Sequence, residues 1–180
     1  LVGRRDLVEA VHYFGGLLLP VPLVLGLALS PAFRQDVRRL NRFLPGDWAW
    51  LRSRDRRLGG HPSGKFNAGQ KLNSAFTLGA VLALLGTGLM LRYFGLFPDD
   101  LRTGATLVHD AFAAAAALVT AGHVYMALND PEAMRGLRTG KVSRTWARRE
   151  HALWAADADA GGRPGAAGPR TDSDGAASGT

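Results

Sequence analysis

Three apolar stretches of about 20 residues each, Val11 to Ser30, Leu72 to Leu91 and Ala105 to Leu128, constrain this chain more than any other feature. Coiled as a helix, a run of that length matches the ~30 Å hydrocarbon core of a bilayer. The residues between them are basic or polar, so the near-zero mean hydropathy of −0.01 conceals a segregated pattern. A secretory signal would be shorter in its apolar part and would not be followed by two more stretches of the same kind. The expectation is an all-α protein, a transmembrane helical bundle with three spanning helices at about 11–30, 72–91 and 105–128, forming one domain over residues 1–154. From 155 to 180 the chain is Ala, Gly, Asp, Ser and Pro, with too little to bury, and a disordered tail is expected.

The net charge of +7 raises the question of a nucleic-acid surface, and its placement answers it. Ten Lys or Arg fall in the 34–71 loop and six more, Arg135 to Arg149, follow the third stretch, whereas the short 92–104 connection carries Arg92, Arg102, Asp99 and Asp100. With three crossings and the N-terminus outside, both basic segments fall on one side, as the positive-inside rule prefers. That side is read as cytoplasmic, and a multi-pass protein of the bacterial inner (plasma) membrane, with no nucleic-acid partner, is expected. Basic residues interrupted by spanning segments do not make a nucleic-acid surface.

The chain has no cysteine, which excludes disulfides, Cys-held iron–sulfur clusters and covalent haem attachment in it. Any redox group must be held by other ligands. Pro20 and Pro22 sit at the centre of the first stretch and predict a kink. A short interfacial helix is expected around Trp48 to Leu51. Small residues recur in all three stretches: Gly15, Gly16 and Gly26, then Gly79, Gly86 and Gly88, then Ala113 to Ala117 with Gly122. They allow close helix approach in lipid and leave room for a flat cofactor.

Three of the five histidines, His12, His109 and His123, lie in or at the edge of spans, where an ionisable group is costly and points to function. His61 and His151 lie in basic segments and are expected to be solvated. His109 and His123 are fourteen residues apart, which on a helix places them within about 40° of one face and ~21 Å apart along the axis. By the charge-derived topology, His12 opens the first span and His109 opens the third on the same outer side, at equal depth. Two facing imidazoles in a bundle suit the two axial positions of a haem iron. Bonding between helices is the plainer alternative. Zinc is weaker, because no clustered carboxylates, cysteines or His-x-x-x-His spacing accompanies these residues. His123, nearer the inner side, has no histidine partner at its depth.

Four segments together resemble a known family: Lys65-Phe66-Asn67-Ala68-Gly69-Gln70-Lys71, Val108-His109-Asp110, Gly122-His123-Val124-Tyr125-Met126-Ala127 and Gly140-Lys141-Val142-Ser143-Arg144-Thr145-Trp146-Ala147. They resemble the cytochrome b (gamma) subunit of membrane-bound formate dehydrogenases, over most of residues 5–154. The resemblance implies a four-helix fold binding two b haems, with quinone beside the inner one and electrons arriving from an iron–sulfur subunit. It implies that His12 and His109 ligate the outer haem. His123 would ligate the inner one together with a histidine from a first helix that this sequence lacks, so one or two haems are expected. For quinone the resemblance points to Asn67, Gly69 and Gln70. Amide groups can donate to quinone carbonyls, while the bland reading is that Asn67 and Gln70 cap a helix and Lys65 and Lys71 anchor it at the interface. The Gly140–Ala147 stretch suits a docking segment or a plain basic anchor, and Arg135 or Arg144 suits haem propionates.

The function implied is that of a non-catalytic, membrane-anchoring electron-transfer subunit between the iron–sulfur and catalytic subunits of a formate dehydrogenase and membrane quinone, in contact with membrane lipid. The alternatives are a cytochrome b subunit of a hydrogenase or other molybdoenzyme, and a haem-free truncated membrane anchor.

Overall fold

The structure is a computed structural model that describes residues 2–54 and 62–160. Among these residues every regular element is helical: α1 Val2–Leu18, α2 Val21–Leu29, α3 Pro31–Leu40, α4 Pro45–Arg52, α5 Ala68–Arg92, α6 Asp99–Leu128, α7 Pro131–Thr139, α8 Arg144–Glu150 and α9 Ala152–Asp159. Three helical runs are long and apolar enough to cross a membrane: Gly3–Leu29, Ala68–Arg92 and Asp99–Leu128. Each begins earlier than the expected span; the second and third contain theirs, and the first ends at Leu29, with Ser30 as its C-cap. The first takes in the polar Arg4–Glu9 segment, where Arg5 pairs with Glu9 one turn on at 3.1 Å. Leu18, Leu82, Leu107 and Leu118 are exposed, an arrangement suited to lipid rather than water.

The chain divides into two compact units, one made of residues 1–38 and 74–119, the other of residues 39–73 and the chain from 120 onward. The division falls inside α5 and α6.

In the first unit, the expected kink is a full break between α1 and α2. Neither Pro20 nor Pro22 has an N–H to give to the preceding turn. The N–H of Leu19 is shared between the carbonyls of Gly15 and Gly16, at 3.1 and 3.3 Å, and α2 restarts with Pro22 in its first turn. At the other end of α2, the Arg34 guanidinium donates to the carbonyls of Leu27 (2.8 Å) and Ala28 (3.1 Å), satisfying acceptors that a helix end leaves open. The Phe33 ring lies against Gly26, where a Cβ would come within 2.9 Å of it.

In the second unit, α4 is the helix expected around Trp48, and it is fixed by a buried ion pair. The carboxylate of Asp47 accepts from Lys71 Nζ and from the Leu44 N–H, both at 2.6 Å, with the Asp47 and Lys71 side chains 10% and 7% exposed. Lys71 also donates to the Arg42 carbonyl at 3.0 Å and lies over the Phe43 ring. Lys71 is therefore an internal strut and not the interfacial anchor of the plain reading.

The Gly140–Ala147 segment folds on itself. Asp130 caps α7 by accepting from the Ala133 N–H at 3.0 Å, and α7 ends at Gly140, whose φ of 69° is a left-handed conformation that glycine adopts without strain. Ser143 caps α8, Trp146 Nε1 donates to Asp130 at 3.1 Å, and Val142 and Ala147 are buried. Glu132 accepts from the Ser143 N–H at 2.8 Å and from Arg135, which together hold its carboxyl below the usual carboxylate range. Lys141, Thr145, Arg148 and Arg149 are exposed, so any docking or lipid contact by this motif falls to them.

Two expectations are corrected here. His151 is not solvated: it is 5% exposed, its Nδ1–H donates to the Gly64 carbonyl at 2.9 Å, and the rings of Trp146 and Trp154 lie 5.2 and 6.3 Å away. Ser63 joins the same clasp, donating to the Glu150 carbonyl at 2.6 Å and accepting from the Leu153 N–H at 3.1 Å. The sequence places His151 among charged neighbours, and the return of residues 62–64 completes its burial between Trp146 and Trp154. Residues 155–159, expected to be part of a disordered tail, are helical. They belong to α9, with Ala155 buried and Asp159 paired with Arg144 (2.7 Å) and Arg148 (3.0 Å), interactions that composition alone does not reveal. Residues 161–180, and His61, lie outside the described residues.

Burial of His151 disfavours its charged form and pushes its pKa below the ordinary 6.5, with the Gly64 bond acting in the opposite direction. The neutral ring is thus the native form. Its stabilisation is complete above the unfolded value near 6.5 and is lost as pH falls through the lower folded value. Thermal unfolding of the detergent-solubilised protein is expected to shift to lower temperature between about pH 7 and pH 5, and the shift should shrink in His151→Asn, which retains a donor for Gly64 without titrating. Equal pH dependence in both proteins would refute this role.

Candidate functional site

Within the first unit, α1 presents His12 and α6 presents His109 with ring centroids 6.0 Å apart and planes at 68°. Two imidazoles bound to opposite sides of one metal ion through bonds of about 2 Å would stand at about this separation. His109 is additionally tied to α5. Its Nδ1 is 2.9 Å from Thr87 Oγ1, and its Cε1 lies against Gly88, where a Cβ would approach to 3.3 Å.

The pair opens onto a cavity of about 1090 Å³, just above the ~300–1,000 Å³ usual for small-molecule and cofactor sites. Along α1 its wall passes from Asp6 and Glu9, through His12, to Gly15, Gly16 and Leu17; along α5 it passes from Leu84 and Leu85, through Gly88, to Arg92. A Cβ at Gly15 or Gly16 would meet nothing within 4 Å, so this wall stays open. The cavity is thus polar near Asp6, Glu9 and Arg92 and apolar beside the leucines. Arg92 stacks over Tyr13 and Tyr93 at 5.6 and 5.9 Å from the ring centroids, and the two tyrosine hydroxyls are 3.2 Å apart.

Among the described residues, no group of three or more His, Cys, Asp or Glu side chains comes together. The two imidazoles can therefore complete only an ion whose other ligands come from elsewhere, which is the situation of an iron inside a porphyrin.

Asn67, Gly69 and Gln70 come together at the start of α5 in the second unit. The Asn67 N–H donates to Gln70 Oε1 and the Gln70 N–H to Asn67 Oδ1, both at 2.9 Å, a reciprocal capping box. The indole of Trp50 takes the space beside Gly69, where a Cβ would be 3.2 Å from it. The cap engages both side-chain oxygens and leaves both amide nitrogens as donors. His123 is exposed on α6 and makes no hydrogen bond or ring contact among the described residues, including with Asn67, Gly69 or Gln70. Arg135 and Arg144, the residues suggested for propionates, pair with Glu132 at 2.8 Å and Asp159 at 2.7 Å.

Sequence reasoning did not single out Thr87, Arg92 or Tyr13. A signal for Thr87 was available. In an antiparallel pair of helices joined by a short turn, positions equidistant from the turn face each other. Thr87 and His109 are each eleven residues from Pro98, and Phe94 and Arg102, each four from it, are also in contact, with the guanidinium 5.3 Å from the ring centroid.

No protein-family model matches the chain. Among curated proteins, it is 34% identical over 94 residues to the "Formate dehydrogenase, nitrate-inducible, cytochrome b556(Fdn) subunit" of Escherichia coli K12, a match covering 51% of this chain and 43% of the relative. It is 27% identical over 158 residues to the "Formate dehydrogenase, cytochrome b556 subunit" of Haemophilus influenzae, covering 86% of this chain and 65% of the relative. The chain thus spans less than two thirds of the length of these curated relatives.

The absence of native cysteine makes the geometry directly testable. With His12→Cys and His109→Cys combined, a short bismaleimide is expected to join the two positions in native membranes and not after denaturation in SDS, as read by mass spectrometry of the linked peptides. No native cross-link would contradict the pairing of α1 with α6.

Proposed function

We propose that this chain, a relative of the formate dehydrogenase cytochrome b556 subunits, is the membrane-embedded haem b subunit of a formate dehydrogenase-type complex and carries electrons between an iron–sulfur partner subunit and membrane quinone. The observation that carries this reading is the His12–His109 pair, with ring centroids 6.0 Å apart at the wall of a cavity large enough for a cofactor. The donor set fits a b haem, which is held without covalent attachment and which His12 and His109 would ligate through their imidazole nitrogens.

When bound, the haem supplies one-electron redox chemistry. The residues of this chain ligate, seat and insulate it. His12 and His109 offer neutral imidazole nitrogens. Gly15 and Gly16 leave open space for a flat ring, Gly88 makes room for the His109 imidazole itself, and Leu84 and Leu85 give the interior an apolar wall. Arg92, already positioned by Tyr13 and Tyr93, offers a cation to the haem carboxylates at the polar end, in place of Arg135 or Arg144.

His123 serves a second, inner haem in this reading, with its opposite ligand coming from outside the described residues. The basic 34–71 loop and the segment after Leu128 face the cytoplasm of a bacterial plasma membrane. Quinone binds at the start of α5, where the amide nitrogens of Asn67 and Gln70 donate to its carbonyls. The capping box is compatible with this role, because the cap uses the oxygens and the substrate would use the nitrogens.

Haem per chain, measured by pyridine haemochrome and a reduced-minus-oxidised spectrum on the purified membrane complex, tests the central claim. At least one b haem is expected. His12→Ala and His109→Ala should each remove the outer haem, and a full complement in either variant would sink the ligand assignment. Gln70→Glu separates donor from cap, since Glu retains the oxygen that a capping box needs but loses the N–H. Quinone reduction should fall about five- to tenfold, the worth of one hydrogen bond, with the haem spectrum unchanged. Unaltered turnover would leave Gln70 as a cap alone.

A further inference from the structure

The hydroxyl of Thr87 has one proton and three polar neighbours. Its Oγ1 is 2.6 Å from the Ala83 carbonyl oxygen, one turn back on α5, 3.4 Å from the Leu84 carbonyl oxygen and 2.9 Å from His109 Nδ1. A carbonyl only accepts, so the hydroxyl proton goes to Ala83. The bond to the imidazole then exists only if His109 Nδ1 carries a hydrogen and donates it. A neutral imidazole has one N–H, so Nε2 keeps its lone pair. The Nδ1–Cε1 edge of the ring rests on Thr87 and Gly88, and the ring forms part of the cavity wall facing His12.

We propose that Thr87 is the positioning residue that fixes His109 as the Nδ1–H tautomer, turns its Nε2 toward the cavity and tunes the iron it ligates; the tuning rests on the haem reading above, whereas the tautomer does not. Each part follows from the same two bonds. Thr87 is β-branched, so its side chain has few rotamers in a helix, and back-bonding to Ala83 selects one of them. A hydroxyl that donates to a carbonyl becomes a better acceptor, which strengthens the bond from His109. Pulling on Nδ1–H raises the basicity of Nε2, as outer partners of metal-bound histidines do, and a more basic axial ligand favours ferric over ferrous iron. Gly88 has no side chain to hold the ring, and Thr87 supplies the hydrogen bond that orients it.

The test compares wild type, Thr87→Val and Thr87→Ser in the purified membrane complex. Valine retains the shape and removes the acceptor; serine restores it. In Thr87→Val the outer haem is expected to remain, with the ferric-to-ferrous preference reduced on the order of tenfold, which for a one-electron couple is about +59 mV in midpoint potential. Thr87→Ser should return most of that shift. Loss of haem in Thr87→Val that serine restores would also support the proposal, whereas indistinguishable valine and serine variants would overturn it. A second readout is independent of haem. In haem-free protein labelled with 15N-histidine, and with His109 assigned from His109→Gln, the ring should show the Nδ1–H tautomer in wild type and a mixture in Thr87→Val. An Nε2–H ring in wild type overturns the proposal. Wild type without any bound haem, but with the Nδ1–H tautomer, would refute the electron-transfer reading and leave the role of Thr87 standing.

Discussion

A hydrocarbon layer offers no hydrogen bonds, so each peptide group that crosses it must be satisfied inside its own helix and each polar side chain must bring its own partner. The long helices meet that constraint at several of their polar positions. Thr87 gives its proton to the backbone of its own turn and lies 2.9 Å from His109 Nδ1. Tyr13 and Tyr93 meet through their hydroxyls beneath Arg92. Polar chemistry inside the membrane is concentrated where α1, α5 and α6 approach, while leucines cover the outer faces. The His12–His109 pair lies there, with His109 tied to Thr87.

The second unit works by different physics. It uses caps, a left-handed glycine and a buried ion pair, as water-soluble proteins do. The Asp47–Lys71 pair is costly to desolvate, and such pairs contribute little net stability over an apolar equivalent, although breaking one by removing a partner costs about 3–5 kcal/mol. What it supplies is position. Lys71 also reaches the Arg42 carbonyl, so the turn before α4, α4 itself and the first turn of α5 are tied at one point, directly beside the Asn67–Gln70 cap.

Much of this was legible in the sequence, and what escaped has a common cause. The apolar lengths and the asymmetric charge identify three spans and bring His12 and His109 to the same side, because both signals are one-dimensional. The N-x-x-Q spacing of Asn67 and Gln70 likewise reads as a cap, because capping is local. Thr87 escaped because its value depends on the register of α5 against α6, and a threonine in an apolar helix is otherwise unremarkable. His151 escaped because its burial depends on a return of the chain 87 residues away in sequence. Gly69 is legible as a place of close approach, but that the neighbour is the indole of Trp50 depends on how α4 folds back.

The break between α1 and α2 bears on how the protein tolerates its surroundings. The first run, Gly3–Leu29, has 27 residues and as one straight rod would be about 40 Å long, longer than the hydrocarbon layer. Membranes differ in thickness by a few ångströms, and a continuous helix answers such mismatch by tilting along its whole length. With two prolines interrupting it, α2 can tilt while α1 stays as it is. A change in bilayer thickness can then be met on the far side of Pro20 by α2, without requiring the helix that carries His12 to tilt with it.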